Sequence, residues 1–133
     1  MNIKEAVKYV GDNFVYENDP KMIGDTWHVM KMKNGKFKGD CDDFALTCLW
    51  FYSDKKILKF LFHLLITHRY KLYRCKTNTG GWHVVGSVDG LWFDNWTKKA
   101  LPKEEFFTKT KHNIKMRYLS IVFVWYLIIG LFI

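Results

Sequence analysis

Asp89-Gly90 separates two apolar runs, Trp82–Val88 and Leu91–Trp96. Asp-Gly between alternating apolar residues is the pair that a two-residue hairpin turn with positive φ requires. The two runs are therefore predicted to fold back as antiparallel strands. A two-residue turn also sets the register: Val88 faces Leu91, Val85 faces Asp94 and His83 faces Trp96. Strand side chains alternate between faces, so His83 and Asp94 share one face as diagonal neighbours, roughly 7–8 Å apart at the backbone. A hydrogen bond between them fits that spacing. It would fix the imidazole tautomer and stabilise its cationic form, as the third member of a catalytic triad does.

A second signal lies upstream, at Gly39-Asp40-Cys41-Asp42-Asp43-Phe44-Ala45. Asp40 is a good helix N-cap, with Asp43 three residues later in the capping-box position. This predicts a helix from Cys41 to about Tyr52, with Cys41, Ala45, Cys48, Leu49 and Tyr52 along one face. Cys41 then sits where backbone N–H groups lack helical partners and the dipole is positive. Both favour a thiolate. Asp42 and Asp43 oppose it by like charge, so a histidine partner is required. Cys48 and Cys75 read as core residues, and His63 and His68 as surface ones.

The residues also carry a resemblance. The Cys41 segment is similar to the nucleophile motif of the bacterial transglutaminase-like cysteine peptidases, which usually reads Gly-Asp-Cys-Glu-Asp-Tyr-Ala. Trp82-His83-Val84-Val85 resembles the family's histidine strand, and Trp92-Phe93-Asp94-Asn95 its aspartate strand. Their order and spacing agree: His83 follows Cys41 by 42 positions, and Asp94 follows His83 by 11. The resemblance covers residues 25–96. It implies a papain-like α+β core, with the nucleophile helix packed on a small antiparallel sheet, and a source in bacteria or their phages. It also implies acyl transfer to Cys41, with His83 as base and then acid, Asp94 orienting it, and a peptide or protein as substrate. The Cys41 N–H is one oxyanion donor. Trp27, at a place where the family often has Trp, is the candidate for a second. No cofactor and no metal are expected, although Cys41, His83 and Asp94 are also zinc-ligand types.

The rest of the 133-residue chain suits one domain, and its 18% aromatic content argues against disorder. Residues 2–10 predict a short helix with Ile3, Ala6, Val7 and Val10 on one stripe. Ile57–Ile66 predicts an apolar helix, and Tyr70–Lys76 a strand. Lys98–Lys115 reads as a basic, polar stretch. Three cysteines leave one over from any disulfide, which points to reduced thiols. No long apolar run opens the sequence, so a cleaved secretory signal is not expected.

Lys plus Arg number 21 against 13 Asp plus Glu. Such a surface attracts anionic partners, but no nucleic-acid motif is present and none is expected to bind. Leu119–Ile133 is almost wholly apolar. With Met116–Tyr118 it is long enough to be read as a C-terminal apolar helix anchoring a 1–115 catalytic domain, residues 116–133 forming the anchor. Packing into the core is the other reading of this segment. Lys109, Lys111, Lys115 and Arg117 precede it and favour a cytoplasmic placement of the domain. Ile57–Ile66, with Lys55, Lys56, Arg69 and Lys71 around it, is expected to lie in the same membrane interface.

Three functions compete at this point. The first is a thiol hydrolase or acyltransferase. The second is a catalytically silent, membrane-anchored interaction protein on the same fold. The third is a peptidoglycan-cleaving enzyme, which the cytoplasmic placement opposes.

Overall fold

A computed structural model describes residues 1–17 and 28–119, together with Val124. Trp27 lies outside the described residues. So does the expected C-terminal helix, apart from residues 116–119 and Val124.

The first helix, α1 (Ile3–Asp12), begins at a capping box: the Asn2 side chain accepts from the Glu5 amide, and the Glu5 side chain accepts from the Asn2 amide. Ile3, Ala6, Val7 and Val10 are buried, as their spacing predicts. Strands β1 (Phe14–Tyr16), β2 (Met32–Lys33) and β3 (Lys36–Gly39) form a sheet in the order β1-β3-β2. β1 and β3 run parallel, so this small sheet is mixed rather than antiparallel. Asn34 and Gly35, with φ of 53° and 74°, turn β2 into β3. β3 delivers the chain to Asp40.

Helix α2 runs from Cys41 to Tyr52, with Asp40 as N-cap and the Asp40–Asp43 capping box in place. One expectation fails here. The apolar stripe is not one-sided, because every residue from Asp42 to Leu49 is buried. α2 is central, so it is covered all round.

α3 (Ile57–Leu61) continues into a π-helical turn, Phe62–Ile66. Then come β4 (Lys71–Lys76), β5 (Trp82–Val88), β6 (Leu91–Phe93), β7 (Leu101–Pro102), α4 (Lys103–Thr110) and β8 (Asn113–Arg117). The strands form an antiparallel sheet in the order β7-β6-β5-β4-β8. The hairpin register is the predicted one: Val88 pairs with Leu91 and Gly86 with Phe93. Asp89 and Gly90 have φ of 52° and 80°.

Two readings of the C-terminal third are corrected. Lys98–Lys115 is not merely a basic, polar stretch, because it contains β7, α4 and part of β8. Its Phe106 is fully buried and joins Cys75, Val85 and Trp92 in a second apolar cluster. The 115/116 boundary also falls inside a strand: Met116 pairs with Arg74, and Arg117 with Tyr73, within the sheet. Lys115 and Arg117 thus belong to β8 and Lys109 to α4. Among the described residues no helix is long and apolar enough to cross a membrane.

Candidate functional site

The site forms where the N-terminus of α2 meets β5. A Cβ on Gly86 of β5 would lie 2.5 Å from the Phe93 ring and 3.3 Å from the Ala45 side chain. Only glycine lets α2 approach this closely. Ala45 is one turn beyond Cys41, so the approach sets the height of Cys41 above the sheet. Gly39 has a similar role at the helix entry, since its Cβ would meet Met30 Sδ at 2.7 Å and Asp43 Cβ at 2.9 Å.

Cys41 is half-buried. Burial pushes its thiol up to about 12, and the charges of Asp40 and Asp43 push the same way. The backbone amides of Val84 and of Cys41 itself oppose this by hydrogen bonding at the sulfur. The opposing acids are therefore Asp40 and Asp43, where the sequence pointed to Asp42 and Asp43. β6 ends opposite Gly86, so β5 from Val85 back to Trp82 has no β6 partner. The Gly86–Ala45 approach brings the strand that carries His83 up to α2.

His83 is 4% exposed, and its Nε2 lies 2.9 Å from Asp94 Oδ2. Asp94 is fully buried. Its other oxygen, Oδ1, accepts from the Thr97 amide at 2.8 Å and the Thr97 hydroxyl at 2.9 Å. That turn pulls the chain out of the sheet after Phe93, so the strand expected to reach Trp96 stops three residues short. A third ligand to Asp94 was not predicted. His112, between α4 and β8, places its Nε2 2.9 Å from the same Oδ2. Burial raises the Asp94 carboxyl, but hydrogen bonds from His112, then His83 and Thr97, outweigh it and hold the group well below the usual carboxylate range. Asp94 is thus an anion with both oxygens fully engaged.

The tryptophans divide by role. Trp96 is 53% exposed, and its ring centroid is 4.9 Å from both the His83 and His112 rings, which it roofs. Trp92 packs inside, against Tyr73 and Phe107. Trp82 is 52% exposed at the strand end, with Arg74 and Lys76 over its ring at 4.0 and 4.7 Å. His28 contacts Asp43 through its amide (3.1 Å) and its Nδ1 (3.3 Å). Cys48 and Cys75 are fully buried, as expected.

Two groups of side chains bring metal-ligand atoms within 4.8 Å of one another among the described residues: His83, Asp94 and His112, and Asp40, Asp42 and Asp43. The first is held together by its own hydrogen bonds, whose protons a metal would have to displace. In the second, one oxygen each of Asp40 and Asp42 accepts from the Asp43 amide, and Asp43 accepts from the Asp40 amide.

No protein-family model matches the chain, and no curated protein matches it significantly. Its fold is similar to solved structures of Legionella pneumophila LapG. The EGTA-treated form superposes with a TM-score of 0.56, the calcium-bound form with 0.55 and a further LapG structure with 0.51. Each is 16% identical and covers 89% of this chain, which in turn spans 62–66% of the LapG chains. The likeness supports the mixed α+β architecture.

Proposed function

We propose that the chain is a thiol hydrolase or acyltransferase, a peptidase or amidase acting on a peptide or protein through Cys41, His83 and Asp94. The observation that carries this reading is the His83 Nε2–Asp94 Oδ2 hydrogen bond on the strand that packs, through Gly86, against the helix Cys41 begins. The LapG-like fold and the sequence resemblance agree with it.

The chemistry follows from the protonation states. Cys41 rests as a thiol, so attack and proton removal go together. His83 donates Nε2–H to Asp94, which leaves Nδ1 to take the thiol proton. The sulfur adds to the substrate carbonyl, and the Cys41 N–H meets the oxyanion. Collapse breaks the C–N bond, and the leaving amine takes the proton from His83. Water, or a second amine, then attacks the thioester with His83 again as base; the C–S bond breaks, and His83 returns the proton to the Cys41 sulfur.

Limiting iodoacetamide followed by peptide mapping tests the reading. All three thiols are pushed up by burial. Cys41 is half-buried where Cys48 and Cys75 are fully buried, so Cys41 must also label faster than it does in His83→Ala, which removes the base and keeps the exposure. An equal rate in that variant refutes the reading. Equal or slower labelling of Cys41 relative to Cys48 and Cys75 refutes it, and leaves the catalytically silent module as the better account.

A second reading concerns location. α3 and the π-helical turn bury Phe60 and Leu64 but expose Ile57 (54%), Leu58 (81%), Phe62 (51%) and Ile66 (66%). Lys55, Lys56 and Lys59 accompany this second apolar face. Two copies packed through it would oppose their cations, whereas anionic lipid complements them. The face is proposed to dock on an anionic bilayer. Cosedimentation should fall on Leu58→Ser with Phe62→Ser, and with neutral vesicles. Retention by the double variant refutes the docking face.

A further inference from the structure

Asp94 holds two histidines on one oxygen, and the proposed chemistry uses only His83. His112 is 6% exposed, and its Nδ1 is buried without a hydrogen-bond partner. That pairing of contacts fixes its proton. An imidazolium would bury a charged Nδ1–H with no acceptor, a costly state. The neutral Nε2–H tautomer instead buries a bare lone pair on Nδ1 and donates at Nε2, where Asp94 waits.

We propose that His112 is a positioning residue: its Nε2–H pins Asp94 Oδ2 so that the carboxylate holds the His83 ring in place. This rests on the triad reading above. Thr97 fixes Oδ1 alone, and a carboxylate held at one oxygen can still swing the other. Two donors at Oδ2, from β5 and from the α4–β8 junction, leave it one position. The rings of Trp96 (4.9 Å, edge-on) and Phe106 (6.0 Å, tilted) pack against His112. The surrounding titratable groups are Cys75 on β4, pushed up to about 12 by burial and by Asp94's charge, and Lys103 and Glu104 on α4, which line a groove with His112.

Side-chain ¹⁵N–¹H spectra of the full chain read the tautomer directly. His112 should carry its proton on Nε2, with Nδ1 bare. His112→Phe keeps the ring packing but removes the donor. In it, the His83 Nε2–H should lose its protection from solvent exchange, and Cys41 alkylation should slow roughly three- to tenfold, the equivalent of one hydrogen bond. His112→Gln, which restores an N–H donor, should recover both. A proton on His112 Nδ1, or a Phe variant unchanged in both readouts, overturns the proposal. If His112→Phe does not fold, the wild-type tautomer and the Gln variant still decide. Poor Cys41 labelling in the wild type would count against the thiol chemistry, while the spectra would still test the anchoring of Asp94.

Discussion

The Nε2 atoms of His83 and His112 both lie 2.9 Å from Asp94 Oδ2. An anion so engaged, with its other oxygen held by Thr97, has no free oxygen, and its replacement has consequences that can be separated.

Asp94→Asn keeps the shape and removes the charge. If the amide oxygen faces the two Nε2–H donors, it accepts from them weakly; if the amide nitrogen faces them, donor meets donor and His83 turns to the wrong tautomer. Cys41 alkylation should drop to the rate of a buried thiol, and stability should fall by about 2–4 kcal/mol, from weakening two or more charge-assisted hydrogen bonds. Urea denaturation of the two proteins measures the second effect.

Asp94 also predicts an acid limb of stability. Its folded-state carboxyl lies below the unfolded one, so the contribution is complete above the unfolded value, about 4. It is lost progressively as pH falls below that. Denaturation midpoints should decline more steeply below pH 4 in the wild type than in Asp94→Asn.

Gly86→Ala introduces a methyl group 2.5 Å from the Phe93 ring. Either the ring shifts or α2 lifts off β5. A loss of about 1–3 kcal/mol is expected, together with slower Cys41 alkylation as the sulfur leaves the Val84 amide. A variant as stable and as reactive as wild type would show that the helix–strand approach is not set here.

Asp89→Asn separates turn geometry from charge. Asn tolerates φ near 52° as Asp does, so the turn should survive. The bonds from Arg69 Nε (2.9 Å) and Nη2 (2.6 Å) and from the Tyr52 hydroxyl (2.9 Å) weaken. Both charges are more than a third exposed, so the cost should be about 0.5–1 kcal/mol and should shrink in 1 M salt.

Legibility varied along the chain for physical reasons. Asp-Gly demands one turn, so the hairpin register could be counted. Asp40 and Asp43 cap each other, so the start of α2 was readable to the residue. The end of β6 was also written in the sequence, but in another pattern: Asp94-Asn95-Trp96-Thr97 is an Asx-type turn that competes with strand pairing. His112 was hidden. Its neighbours are Lys111 and Asn113, the α4 helix before it is rich in charge, and the break that positions it is a non-glycine residue, Lys111 at φ 57°. Leu101, Phe106, Phe107 and Ile114, all packed in or against the second apolar cluster, were the hints that this stretch folds back. The exposed side of α3 was equally illegible, because an all-apolar segment does not say which face is covered.

The shared carboxylate has a consequence for biosynthesis. β8 is an outer strand of the sheet, and His112 is among the last described residues to leave the ribosome. A nascent chain complete through Trp96 already contains the cysteine, the strand histidine and the acid, yet lacks the second ring on that acid. Chains emerge and fold N-terminus first. A partly made copy would therefore hold its acid loosely, and full organisation of the thiol centre would wait for the C-terminal third.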